Sequence, residues 1–325
     1  MHSPSVLIML ASYNGADYIE DQIKSIIEQS YTDWNLIIQD DGSIDNTEEL
    51  IKKFVKEDSR ISFRKSECKN HGAYYNFHSL ANFCKTLNAY DYYMFCDQDD
   101  VWLPDKIERM VMYIDKTTND IPQLCYGDMD IIDGENCLVG SSINSELGIS
   151  YKNKYTVFFS HNVFGCNLIM NRKAFFAVPM IDTNQDYVKI LSHDNLYTKF
   201  TATLGKVEFI PQVFMHYRRH QKNVTAKQNY SFGLKRILKR ASKIQELAED
   251  HALTYNQSLL AIKLIRGNSM ADTEFLDGVE MAIRRGGFSG VKYVLRNNVS
   301  WGKSVKTLSR LTTMATGMYR RYLIY

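Results

Sequence analysis

Residues 95–106 read FCDQDDVWLPDK, and four acids, Asp97, Asp99, Asp100 and Asp105, fall within nine positions directly after the apolar run Tyr92-Tyr93-Met94-Phe95-Cys96. A chain leaving a strand into so much negative charge repels itself unless something positive sits there. Asp97 and Asp99 alternate along an extended backbone, so their carboxylates can address two faces of one small site. A divalent cation, Mg²⁺ or Mn²⁺, is the simplest neutraliser: it takes oxygen ligands, few of them from protein, and completes its shell with water and substrate phosphates. That chemistry points to a phosphorylated substrate such as a nucleotide. A lone Asp-x-Asp is equally compatible with solvated loop acids or helix caps ahead of Pro104. Asp105 reads as a first-turn acid favoured by the helix dipole, and the role of Asp100 stays open.

A second constellation is LIIQDDGSIDNT (36–47), where two acids end an apolar run and a Gly-Ser turn follows. Ser43 or Asp45 is expected to open the next helix as a cap. Capping does not call for Asp40 and Asp41 as well, and a carboxylate there can accept hydrogen bonds from a base or ribose.

These residues need a scaffold that brings strand ends together. VLIMLAS (6–12), WNLIIQD (34–40), RISFRK (60–65) and YDYYMFCD (90–97) read as buried strands. Between them lie amphipathic patterns from about Asp17 to Gln29, from Ser43 or Asp45 through Val55, and from Tyr75 to Leu87, with a further helix from Pro104. Such alternation implies βαβ units, a mostly parallel sheet, and ligands beyond the carboxyl ends of the strands. Asn14, Asp40-Asp41 and Asp97-Asp99 would converge on that edge. Further on, 126–133 reads as a strand leading to a turn, 164–170 as a strand, 193–205 as a helix closed by Gly205, and 206–211 and 213–219 as two strands. From Tyr230 onward only amphipathic helices are expected.

Taken in order, ASYNGADYIEDQIKSIIEQSY, QDDGSIDNT and FCDQDDVWLPDK resemble the family 2 inverting glycosyltransferases of the GT-A fold, over about residues 5–225. HNVFGCNLIMNRKAF (161–175) is similar to the family's acceptor-side stretch and HYRRHQKNVTA (216–226) to its closing segment. Within the family the chain looks most like bacterial rhamnosyltransferase-like enzymes of surface-polysaccharide assembly.

The resemblance implies a nucleotide-sugar donor over the sheet edge. Ala11, Tyr13 and Asn14 would lie near the nucleotide, with Asp41, or its rival Asp40, at the base. Asp97 and Asp99 would form the metal-binding pair, Asp99 making the direct contact. Asp194 in LSHDNLY would be the base for the acceptor hydroxyl, although Asn195 stands where the closest relatives would carry tryptophan, which bears on the acceptor pocket. His220 would help hold the metal or diphosphate, and Arg218 or Arg219 would face phosphates. Asn76 and His71 fall where the third strand meets the donor site. Tyr74, Tyr75 and Trp102 could stack on a sugar or base, or simply pack.

At 325 residues, 45% hydrophobic and 23% charged, the chain suits one large catalytic domain, 1–228, and an appendage, 229–325. The net charge of +2 hides an asymmetry: residues 231–325 hold 16 Lys/Arg against 7 Asp/Glu, and the remainder is acidic. Six cysteines without metal spacing imply a reducing compartment. The short apolar N-terminal run suits a buried strand, neither signal peptide nor membrane span. The expected location is cytoplasmic, peripheral on the inner face of the plasma membrane if the basic helices bind anionic lipid; they equally suit a packed helical domain or contact between copies. No nucleic-acid motif accompanies the charge. Against transfer to a glycan or lipid-linked acceptor stand two alternatives. A nucleotidyltransferase would need a basic glycine-rich N-terminal signature, which ASYNGADYIED lacks. An inactive nucleotide-binding scaffold fits poorly with Asp41, Asp97, Asp99 and Asp194 occurring together.

Overall fold

The computed structural model describes residues 3–87, 90–116, 120–148, 151–160, 163–220 and 244–325. The boundary expected at 228/229, most of the helix expected over 232–247 and most of the closing 216–226 segment lie outside them.

Strands β1 (Val6–Ser12), β2 (Trp34–Asp40), β3 (Ile61–Lys65) and β4 (Tyr92–Cys96) alternate with α1 (Ile19–Ile27), α2 (Thr47–Glu57) and α3 (Ala73–Cys84). After them come β5 (Val101–Trp102), α4 (Lys106–Ile114), β6 (Gln123–Ile132), β7 (Leu138–Gly140), α5 (Ile143–Leu147), α6 (Thr156–Phe159), β8 (Leu168–Asn171), α7 (Arg172–Ala177), α8 (His193–Leu204) and β9 (Lys206–Arg218). The sheet runs β3-β2-β1-β4-β8-β6-β9-β5, with β7 on β6. Pairing is parallel from β3 to β4 and between β6 and β9; β8 is antiparallel between those two blocks.

The first strands read as unbroken apolar runs because both faces are covered. In β1, Val6, Ile8 and Leu10 face a core built with α1, α2 and α4, whereas Leu7 and Met9 face the opposite core with α3, α7 and α8. That second core continues into the C-terminal helices α9 (Ile244–Ile265), α10 (Thr273–Arg285), α11 (Gly287–Arg296) and α12 (Ser304–Thr316). Polar ties reinforce the packing: Ser258 Oγ donates to Phe158 O at 2.7 Å and Trp301 Nε1 to Phe159 O at 2.6 Å.

Several boundaries differ from expectation. Helix α2 starts at Thr47, whose N–H donates to Asp45 Oδ1 at 3.1 Å, while Asp45 Oδ2 and Ser43 Oγ accept from the first loop. Residues 206–218 form one strand, broken in register near Gly127 and Asp128 opposite Pro211 and Gln212, rather than two. In 164–170, Gly165–Asn167 is a 3₁₀ turn and only Leu168 onward is strand. Gly317, at φ +63°, ends the last α-helix where the pattern suggested continuation to the C-terminus.

Candidate active site

After β1 the chain moves outward to β2 and β3, then crosses back to β4 on the other side of β1. The ends of β1 and β4 therefore diverge, the place where open α/β sheets bind ligands. Gln98 spans this divide: its carboxamide accepts from Tyr13 N–H at 2.9 Å and donates to Tyr13 O at 3.0 Å. Asn14 adopts φ +47°, and its Oδ1 accepts from Ile44 N–H at 2.9 Å. Asn14 N–H donates to Ser43 Oγ and Gly15 N–H to Thr47 Oγ1, both at 2.8 Å. The β1–α1 and β2–α2 loops are thus zipped into one rim. Ala11 is partly buried below it and Tyr13 is half-exposed on it.

Asp40 and Asp41 separate. Asp40 turns into its own loop, accepting from Gly42 N–H at 3.0 Å, Ser43 N–H at 2.7 Å, Ser43 Oγ and Ser12 Oγ. Asp41 instead meets the start of α3, accepting from Gly72 N–H at 2.8 Å, with the exposed His71 ring 3.1 Å away. Both carboxyls are buried. Asn76 is buried as well, donating to Ser12 O and accepting from Gln39 Nε2.

The four acids of 97–105 take four different positions. Asp99 Oδ2 lies 2.8 Å from His220 Nε2, and the His220 ring packs against Tyr18 with centroids 4.6 Å apart. Asp97 is partly buried and Asp100 wholly buried. Among the described residues, donor atoms of Asp97, Asp100 and Cys166 lie within 4.8 Å of one another. Burial, then the charge of Asp99, then that of Asp194, push the Asp97 carboxyl up. Burial, then Asp99 and Asp97, push Asp100 far above the usual carboxylate range. Asp105 stands at the start of α4, paired with Arg109 at 3.2 Å.

Beneath the acids is a lysine that sequence reasoning missed. Lys106 is fully buried, its Nζ donating to Cys166 O at 2.7 Å and sitting 3.8 Å from the Trp102 ring centroid. Burial lowers it to about 8, partly offset by nearby groups including Asp100 and Asp97. A signal existed: Lys106 falls on the apolar stripe of α4 with Ile107, Met110 and Ile114. Arg218 is buried too. Its N–H donates to Asp100 Oδ1 at 3.0 Å, its Nε to Asp99 O at 2.7 Å, and its guanidinium reaches Asn136 and Asp21. Arg219 reaches toward Glu146 at 3.7 Å.

Asp194 opens α8. Its Oδ2 accepts from Gly165 N–H at 3.1 Å, and its Oδ1 accepts from Ser192 Oγ and from its neighbour Asn195 N–H. The Tyr74 phenol is pushed up to about 12 by burial, then by the charges of Asp194 and Asp97. Tyr75 and Trp102 are buried in the two cores, so neither can stack on a ligand at the rim. Asn195 Nδ2 donates to Gln257 Oε1 on α9 at 2.5 Å, joining α8 to the C-terminal helices. A turn further along α8, Lys199 is buried and lowered to about 7 by that burial.

A carboxylate-lined edge at the switch point of a mostly parallel sheet, with a second acid at a facing helix start, defines an α/β transferase of the GT-A kind. The chain belongs to glycosyl transferase family 2, whose family model matches residues 7–176. It is 29% identical over 270 residues to the dTDP-rhamnosyl transferase RfbG of Shigella flexneri, covering 76% of this chain and 87% of that one. To the UDP-Glc:α-D-GlcNAc-diphosphoundecaprenol β-1,3-glucosyltransferase WfgD of Escherichia coli it is 28% identical over 196 residues, 59% of this chain and 71% of that one. Solved structures agree on the fold. Staphylococcus aureus TarS 1–349 with UDP superposes at TM-score 0.54, 11% identity, over 97% of this chain and 89% of that one. The mannosyltransferase PcManGT of Pyrobaculum calidifontis, with GDP-Man and Mn²⁺, gives 0.51 at 12% identity, over 98% and 86%.

Proposed function

We propose that this glycosyltransferase is metal-dependent and inverting, and moves a hexosyl or deoxyhexosyl group from a nucleoside diphosphate to a hydroxyl of a glycan or lipid-linked acceptor. The single observation that carries this is the gathering of three acids, with the charges of Asp99 and Asp194 both acting on the buried Asp97 carboxyl. Relatives named for dTDP-rhamnosyl and UDP-Glc transfer, one with a diphosphoundecaprenol acceptor, support this donor and acceptor class. A lipid-linked acceptor places the work at the inner face of the plasma membrane.

The donor set fits a hard cation. Asp97 and Asp100 are pushed up by burial and mutual repulsion, which is the excess negative charge a divalent ion relieves. Asp97 and Asp99 would hold Mn²⁺ or Mg²⁺, with His220 fixing Asp99; the ion would supply electrostatic stabilisation of the leaving diphosphate. Asp41, Tyr13 and Asn14 would border the nucleotide on the opposite side of the rim.

Asp194 does the acceptor-side work. Its carboxylate is oriented by Gly165 N–H and Ser192 Oγ. It takes the proton from the acceptor hydroxyl as that oxygen bonds to the anomeric carbon, while the bond from that carbon to the diphosphate oxygen breaks with its electron pair. Attack opposite the leaving group inverts the anomeric centre.

The test is turnover and thermal stabilisation with UDP-, GDP- and dTDP-sugars, each with and without Mn²⁺. One donor should stabilise the protein in a metal-dependent way. Asp194→Asn should keep that stabilisation and lose roughly 10²–10⁴ in rate. Undiminished turnover in the variant would remove Asp194 as the base, and no metal-dependent effect with any donor would remove the metal-dependent mechanism.

A further inference from the structure

The last acidic residue of the chain is Glu280; residues 281–325 contain nine Lys/Arg and no Asp or Glu. Much of this segment forms α11 and α12, which pack on each other in opposite directions, Gly290 near the start of α11 lying against Met314 near the end of α12. Their inner faces are closed by Gly290 and Val294 and by Arg310, Thr313 and Met314.

Their outer faces are not polar. On α11, Phe288 is 85% exposed and Leu295 59%; on α12, Val305 is 49% and Leu308 66% exposed. Phe288 and Leu295 are seven residues apart, two turns, and therefore share one stripe. The exposed Lys292 and Arg296 stand in or beside that stripe. At the far end of α12 an open groove is lined by Arg284, Arg320 and Arg321 with Met318 and Leu323. Ion pairs take up Arg284, with Glu280, and Arg310, with Asp250. Lys292 and Arg296 are exposed beside the apolar stripe.

We propose that the outer face of α11 and α12 is a docking surface for an anionic phospholipid bilayer. Cations interleaved with protruding apolar side chains match the headgroup layer and the acyl boundary beneath it. A free polyanion in water would use the cations and gain nothing from Phe288, Leu295, Val305 and Leu308. A second copy of this chain set face to face would bring like charges together with no acid in the segment to offset them. The surface names the partner for the membrane-face placement proposed above and rests on that placement for its purpose.

The full chain should cosediment with phosphatidylglycerol–phosphatidylethanolamine vesicles and not with phosphatidylcholine vesicles. Lys292→Glu with Arg296→Glu, and separately Phe288→Ser with Leu295→Ser, should each weaken vesicle binding about tenfold or more. Both pairs are exposed, so thermal melting and donor turnover in solution should stay at the wild-type level. Equal binding to phosphatidylcholine, or no binding to either vesicle, would overturn the proposal. So would a polar pair that matters while Phe288→Ser with Leu295→Ser does not, since that pattern describes a polyanion site; inorganic polyphosphate as competitor makes the same distinction. Lost vesicle binding with intact soluble turnover separates this surface from the catalytic assignment.

Discussion

Lys106 Nζ donates to the carbonyl of Cys166 at 2.7 Å, and one residue before that carbonyl, Gly165 N–H donates to Asp194 Oδ2 at 3.1 Å. A single buried cation thus braces the 3₁₀ turn that aims the proposed base, while its charge partly offsets Asp97 and Asp100. Lys106→Met keeps the stem and removes both functions. The expected result is a slower kcat together with tighter Mn²⁺ binding, because the acids lose a competing positive charge. Stability should fall by about 1–3 kcal/mol, and Mn²⁺ should recover part of it. Urea unfolding with and without Mn²⁺, beside metal titration of turnover, reads all three; weaker metal binding would contradict the countercharge role.

Gly15 lies against the Gln98 carboxamide, and a Cβ there would run into it. In Gly15→Ala the Gln98 side chain must swing away from Tyr13, which loosens the first loop and leaves the sheet intact. A loss of about 1–2 kcal/mol is expected from its two hydrogen bonds, with the donor KM raised more than kcat is lowered. Saturation kinetics in donor would check it.

Metal affinity should rise with pH. Asp97 and Asp100 have folded pKa values above the ordinary aspartate value of ~3.9, so the unfolded chain releases their protons first. For these groups stability of the metal-free protein falls as pH climbs from that value toward the folded one, about 7 for Asp97, and then levels off. A cation must displace the same protons. Thermal shifts induced by Mn²⁺ should therefore grow from about pH 5 to about pH 8; a shift constant across that range would show that the cation displaces no proton from Asp97 or Asp100.

Asn195 and Gln257 are buried and bonded to each other across α8 and α9. Either residue changed to alanine leaves a buried amide unpaired and should cost about 1–3 kcal/mol. The double variant should cost less than the sum, with a coupling of roughly 0.5–3 kcal/mol. A denaturation cycle measures it, and additive effects would mean that the two helices are held by their apolar contacts alone.

The sequence alone determined which segments alternate as strands and helices, that the acids fall just past strand ends, and that Asp194 begins a helix. Each follows from local causes: periodicity of two or 3.6, turn residues, and charge near a helix start. It also carried the family. Tertiary structure decided which polar groups face one another. Asp40 and Asp41 are adjacent in sequence, yet one bonds its own turn and the other meets α3. Arg218 is buried and hydrogen-bonds Asp99, Asp21 and Asn136, partners 82 to 197 residues away. Asp100 and Lys106 turn inward because β8 and its 3₁₀ turn fold back beside β4 and cover them. Such pairings depend on strand order and burial, since only removal from water makes a buried charge seek a distant partner; no local pattern records them.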